Sequence, residues 1–154
     1  MKKQRFVFCL YLIVNLLWLA FIFGHSMQSL ETTQQSSLDV GSVLNALLEA
    51  LSIPLELTDH MVRKTAHFVE FFLLGTLYFG WVPLLKRPLR PSVVPILFGG
   101  LLSAVCDEYI QFFAGRGSQV TDVVLDFSAV VTAVLLWSAA VWLRKKRKGK
   151  QAKA

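Results

Sequence analysis

Residues 6–23 (FVFCLYLIVNLLWLAFIF) carry no charged side chain. An α-helix rises about 1.5 Å per residue, so this run is just long enough to cross a hydrocarbon core about 30 Å thick. Inside lipid every backbone N–H and C=O has to be satisfied within its own segment, which leaves a helix as the only form open to a lone stretch of this kind. Three more apolar stretches follow, at 61–85, 93–113 and 122–143, each bounded by charged or turn-forming residues. The pattern predicts an all-α, four-transmembrane-helix polytopic protein, with residues 1–154 as one membrane domain. An apolar content of 55% and a mean hydropathy of +0.54 exclude a soluble globular domain.

Lys2, Lys3 and Arg5 ahead of the first run give it the look of a signal peptide. The run exceeds the usual hydrophobic region of such peptides, and FGHSMQ after it offers no small-x-small cleavage site. An uncleaved first helix is therefore expected. The polar segment HSMQSLETTQQSS that comes next suits a loop. From Leu38 to Leu51 apolar residues recur at helical spacing, with Ser36 or Ser37 available as a cap and Pro54 as a stop. This predicts a short amphipathic helix on the outer side, lying on the membrane surface or over the bundle.

Lys and Arg are distributed unevenly. The N-terminus, the loop KRPLRP (86–91) and the tail RKKRKGKQAKA (144–154) hold 13 of the 16, and none of the 10 acidic residues. By the positive-inside rule these three segments are cytoplasmic, so both termini lie inside. This placement of the positive charge also argues against nucleic acid as a partner, since no basic stripe with interleaved aromatics occurs. Cys9 and Cys106 each lie within an apolar run and are expected as free thiols.

The remaining charges fall on the opposite face. The start of the second span brings His60, Arg63, Lys64, His67 and Glu70 onto one helix stripe, with Glu70 about 10 Å deeper than Arg63. Asp107, Glu108 and Gln111 close the third span, Arg116 sits in the glycine-flanked turn AGRGS, and Asp122 and Asp126 open the fourth. Charged side chains facing lipid are costly, so these groups are expected to gather as a polar cluster and to pair among themselves. Glu70 and Asp107 are candidates for acid and base roles, because burial spreads carboxylate affinities for protons. Adjacent residues on a helix point about 100° apart, so only one of Asp107 and Glu108 is expected to face the cluster. Arg116 suits a phosphate or carboxylate ligand, with a plain ion pair to Asp122 as the alternative. His67 and Glu70 stand three residues apart and could share a metal, but no second histidine is placed beside them. No metal and no cofactor is expected. His25 and His60 read as surface histidines.

These residues resemble the VanZ-like family of bacterial membrane proteins. The likeness rests on VRKTAHFVEFFLLG (62–75) and DEYIQFFAGRGSQVTDVVLDFSA (107–129), and more loosely on the Ser-rich stretch after the first helix. Lys64, His67, Phe68, Glu70, Asp107, Glu108, Gln111, Gly115, Arg116, Asp122 and Val123 match the family's pattern position by position. Phe71 stands where the family has Tyr, Asp126 where it often has Asn, and Ala129 where it often has Gly. The resemblance implies a bacterial plasma-membrane protein associated with resistance to teicoplanin, a lipoglycopeptide acting outside the membrane. Its implied partners are membrane lipids, a lipid-linked cell-wall precursor or the lipoglycopeptide. A binding site, an intramembrane acid–base enzyme and a structural, partner-binding protein all remain open.

Overall fold

The structure, a computed structural model, describes residues 2–151. All its regular structure is helical: α1 (Lys2–Ser26), α2 (Leu30–Ala50), α3 (Asp59–Leu84), α4 (Leu89–Phe113) and α5 (Val120–Gln151). α1, α3, α4 and α5 are long and apolar enough to cross a membrane. They run alternately up and down, so the end of α1, the start of α3, the end of α4 and the start of α5 share one end of the bundle. The basic N-terminus, residues 86–91 and the end of α5 share the other.

Small residues set the packing, as expected where lipid removes most of the hydrophobic drive between helices. Val130 of α5 wedges between glycines of two neighbours. A Cβ added at Gly75 would lie 3.0 Å from the Val130 Cα and 3.1 Å from the Ala133 Cβ, and one added at Gly100 would lie 3.1 Å from the Val130 Cβ. Around that wedge Phe71, Leu74, Ala104, Ala129 and Ile22 form the buried core. α1 is fastened to α3 by polar side chains instead. The Tyr11 hydroxyl donates to the Leu77 carbonyl at 2.7 Å, Trp81 Nε1 donates to Asn15 Oδ1 at 3.3 Å, and Trp18 Nε1 donates to the Glu70 carbonyl at 3.1 Å. Leucine, valine and phenylalanine side chains point outward along all four long helices, as a lipid-facing surface requires.

Three boundaries differ from the sequence expectation. α2 begins at Leu30, not Leu38, because Ser29 rather than Ser36 or Ser37 caps it by accepting from the Thr32 N–H at 3.3 Å. The polar run that reads as a loop is helix, and it buries Thr33, Ser37 and Gly41. That small face packs on the start of α3: Ser37 donates to Asp59, and Asn45 clamps the Leu57 backbone with bonds of 3.0 and 2.8 Å. Leu38, Val40, Val43, Leu44 and Leu47 therefore stay exposed. α4 begins at Leu89, which moves Pro95 out of the first turn. α5 continues through the basic segment to Gln151, so Arg144–Lys148 are exposed helical residues rather than a free tail. The rest of the tail, 152–154, lies outside the described residues. Both cysteines are free.

Candidate functional site

The cluster is built where α1 and α4 end and α3 and α5 begin. Glu70, about three turns into α3, is 8% exposed, and its Oε1 lies 3.0 Å from His25 Nδ1. Its other oxygen has no hydrogen-bond partner among the described residues. Next to it, Asp107 is fully buried. Its Oδ1 accepts from the Ser26 hydroxyl at 2.6 Å and its Oδ2 from Gln111 Nε2 at 2.7 Å. Gln111 is one turn beyond Asp107 on α4, so the two share a face.

Glu108 is also buried, at 3% exposure, and its Oε2 accepts from the Gln119 backbone N–H at 2.9 Å. Both adjacent acids are thus buried. Asp107 faces the helices, and Glu108 faces the turn that folds back under the end of α4. That turn is set by Gly115, whose positive φ of 73° suits a residue without a Cβ. The Gly115 N–H donates to the Phe112 carbonyl at 3.2 Å and the Arg116 N–H donates to the Gln111 carbonyl at 3.0 Å. This pair of bonds closes a Schellman motif, and it holds Arg116 against the cluster at 7% exposure.

Arg116 does not pair with Asp122. Lys64 takes that carboxylate, and Arg63 pairs with Asp59 at 3.0 Å. The Arg116 guanidinium makes no ion pair or side-chain hydrogen bond among the described residues. Burial presses its pKa down, Asp107 pulls it up, and Arg63 adds repulsion. An arginine stays protonated throughout. The result is a buried cation with no direct counter-ion. It lines a 210 Å³ cavity together with Arg63, Lys64, His67, Gln111 and Asp122.

His67 stands at the centre. Its Nδ1 is 3.9 Å from Asp107 Oδ2 and 3.8 Å from Asp126 Oδ1, beyond hydrogen-bond range. Its ring stacks on that of His25 with centroids 6.4 Å apart. Asp126 is 1% exposed, and neither of its oxygens has a hydrogen-bond partner among the described residues.

The structure therefore brings Lys64, His67, Glu70, Asp107, Glu108, Gln111, Arg116, Asp122 and Asp126 to one end of the bundle. It adds two residues that sequence reasoning missed, His25 and Ser26. The signal was available: a polar pair in the last turn of an otherwise uncharged span has to find partners inside the bundle. His60, by contrast, is exposed, in keeping with the surface reading. Glu70 turns to His25, and not to a site shared with His67. A second cavity of 490 Å³, lined mainly by Tyr78, Trp81, Pro91 and Pro95, lies at the opposite end and holds no comparable group of acids and bases.

A family profile described as VanZ/LLP1 matches residues 8–143. The match covers both motif stretches and most of each of the four long helices, and the chain belongs to that family. No curated protein and no solved structure matches the chain.

Proposed function

We propose that this VanZ/LLP1-family membrane protein binds a phosphate-bearing headgroup at the polar end of its bundle, and that this end faces the outside of the cell. One observation carries the reading. Arg116 is a buried guanidinium without a direct counter-ion, on the wall of a cavity that Arg63 and Lys64 also line. A planar fork of N–H donors held in that way suits the oxygens of a phosphate. The distribution of Lys and Arg supports the orientation, because the opposite end carries nearly all of them. The apolar surface of α2 supports a site at a lipid interface, since this helix keeps its small polar face for α3 and leaves its leucines and valines outward.

The ligand class that fits is a membrane lipid or a lipid-linked cell-wall precursor, whose chains would remain in the bilayer while its phosphate enters the cavity. A structural role has less support, because most buried polar groups in such networks are paired and, among the described residues, the Arg116 guanidinium is not. An acid–base role for Glu70 and Asp107 has less support, because His25 holds one carboxylate and Ser26 and Gln111 each donate to the other.

The test uses full-length protein in nanodiscs of zwitterionic lipid, titrated with a polyprenyl phosphate and, separately, with inorganic phosphate. A hydrogen-bonded charged contact is worth about 1.5–3 kcal/mol, so Arg116→Ala should weaken polyprenyl phosphate binding by roughly 10- to 150-fold. Comparable binding of inorganic phosphate would place the affinity in the headgroup alone. Equal binding by wild type and Arg116→Ala would sink the reading. A resistance role follows from the same site. At equal membrane abundance, wild type should lower the teicoplanin susceptibility of a sensitive host and Arg116→Ala should not.

A further inference from the structure

His67, Asp107 and Asp126 reach one point from three different helices, α3, α4 and α5. Their donor atoms all lie within 4.8 Å of one another. From His67 Nδ1 the two carboxylates stand at 3.9 and 3.8 Å. A point equidistant from three atoms so spaced lies roughly 2.1–2.5 Å from each, which is the range of metal–ligand bonds to nitrogen and oxygen.

The second observation is Asp126 itself. It is 1% exposed, and neither carboxylate oxygen has a hydrogen-bond partner among the described residues. Buried charges are paired or coordinate metals, and the nearby cations do not pair with this one: Lys64 is committed to Asp122, Arg63 to Asp59, and Arg116 makes no ion pair among the described residues. A divalent cation between the two carboxylates and the imidazole would satisfy the open Asp126 oxygens directly, which Arg116, beside the cluster but in no ion pair with it, does not. Asp107 has the support that a ligating carboxylate usually has, with Ser26 and Gln111 donating to it at 2.6 and 2.7 Å.

We propose that His67, Asp107 and Asp126 form a binding site for a divalent first-row transition metal, of the Zn²⁺ or Mn²⁺ class. The donor set is one nitrogen and two oxygens, which both ions accept. Three protein donors leave a coordination position open, the pattern of sites that also hold water or a ligand. His67 and Gln111 line the cationic cavity, so that position lies beside it. The site does not depend on headgroup binding and should fill in the absence of any headgroup.

The test is metal uptake by full-length protein in detergent, stripped with chelator, dialysed and titrated with ZnCl₂ or MnCl₂ alone. Wild type should take up one ion per chain by elemental analysis, and its thermal midpoint should rise by several degrees, since a ligand that binds only the folded state stabilises it. Asp126→Asn and His67→Gln should lose both effects. Asp39→Asn, on the exposed face of α2, should retain them and so controls for adventitious surface binding. No stoichiometric uptake of either ion by wild type overturns the proposal, as does undiminished uptake by Asp126→Asn. Should both site variants fail to fold, Co²⁺ substitution in wild type decides: absorption bands of a nitrogen- and oxygen-bound ion uphold the site, and the spectrum of the free aqua ion overturns it.

Discussion

Replacing His25 by alanine removes the one hydrogen bond that the Glu70 carboxylate makes among the described residues. Glu70 is 8% exposed and its second oxygen is already without a partner, so the truncation leaves the whole carboxylate unsatisfied. Breaking a buried pair in this way costs about 3–5 kcal/mol when water cannot enter. His25 is not fully enclosed, however; its side chain is 28% exposed. Water reaching the vacated space would recover part of the loss. The lower range for a hydrogen bond to a charged group then applies, and His25→Ala should cost about 2 kcal/mol. Glu70→Gln should cost about 1 kcal/mol, because an amide still offers an oxygen to the imidazole. The pair acts as a unit, so a double-mutant cycle should return a coupling of about 1–2 kcal/mol. Thermal unfolding of purified protein in detergent reads each corner of the cycle. By the scaling for chains of this size, His25→Ala should lower the midpoint by about 4–8 °C. Additivity of the two changes to within about 0.5 kcal/mol would show that the contact carries no energy and refute the placement of α1 against α3 at this end.

Gly75→Leu should abolish close approach of α3 and α5, because even a Cβ meets the Val130 backbone, which cannot rotate away; the expected cost is about 1–3 kcal/mol or loss of the protein from the membrane, read by midpoint and abundance. Gly115→Ala should cost about 1–2 kcal/mol by forcing a side chain into the left-handed region. It should also weaken phosphate binding with no charge removed, since the same turn positions Arg116.

The four long helices were legible because uncharged length is a one-dimensional property. So was the gathering of polar groups at one end, which comes from the number of crossings and the position of each charge along the chain. Partner choice was not legible. Asp122 has Arg116 close in sequence, yet Lys64 reaches it from α3, and only the packing of α3 on α5 decides between them. His25 looked superficial because the sequence shows it leaving the membrane, whereas α1 continues to Ser26 and carries its last turn over Glu70 and Asp107. Glu108 looked misdirected because a helix wheel ignores the chain beyond the helix end; the Gly115 turn returns Gln119 to cover it. The start of α2 was lost for a related reason. Of residues 31–37 only Thr33 and Ser37 turn inward, with Ser37 donating to Asp59, and polarity without an apolar partner reads as loop. The group of His67, Asp107 and Asp126 was beyond sequence reasoning, since its members are far apart in the chain and come from three helices.

The proposed function requires the polar end of the bundle to face outward. Single cysteines at positions 118 and 88, placed at exposed residues of the two opposite ends in a Cys9→Ser, Cys106→Ser background, test this most directly. A membrane-impermeant maleimide applied to intact cells should label Ser118→Cys and should reach Pro88→Cys only after lysis. Labelling of Pro88→Cys in intact cells, with Ser118→Cys protected, would turn the site toward the cytoplasm and contradict the proposed function.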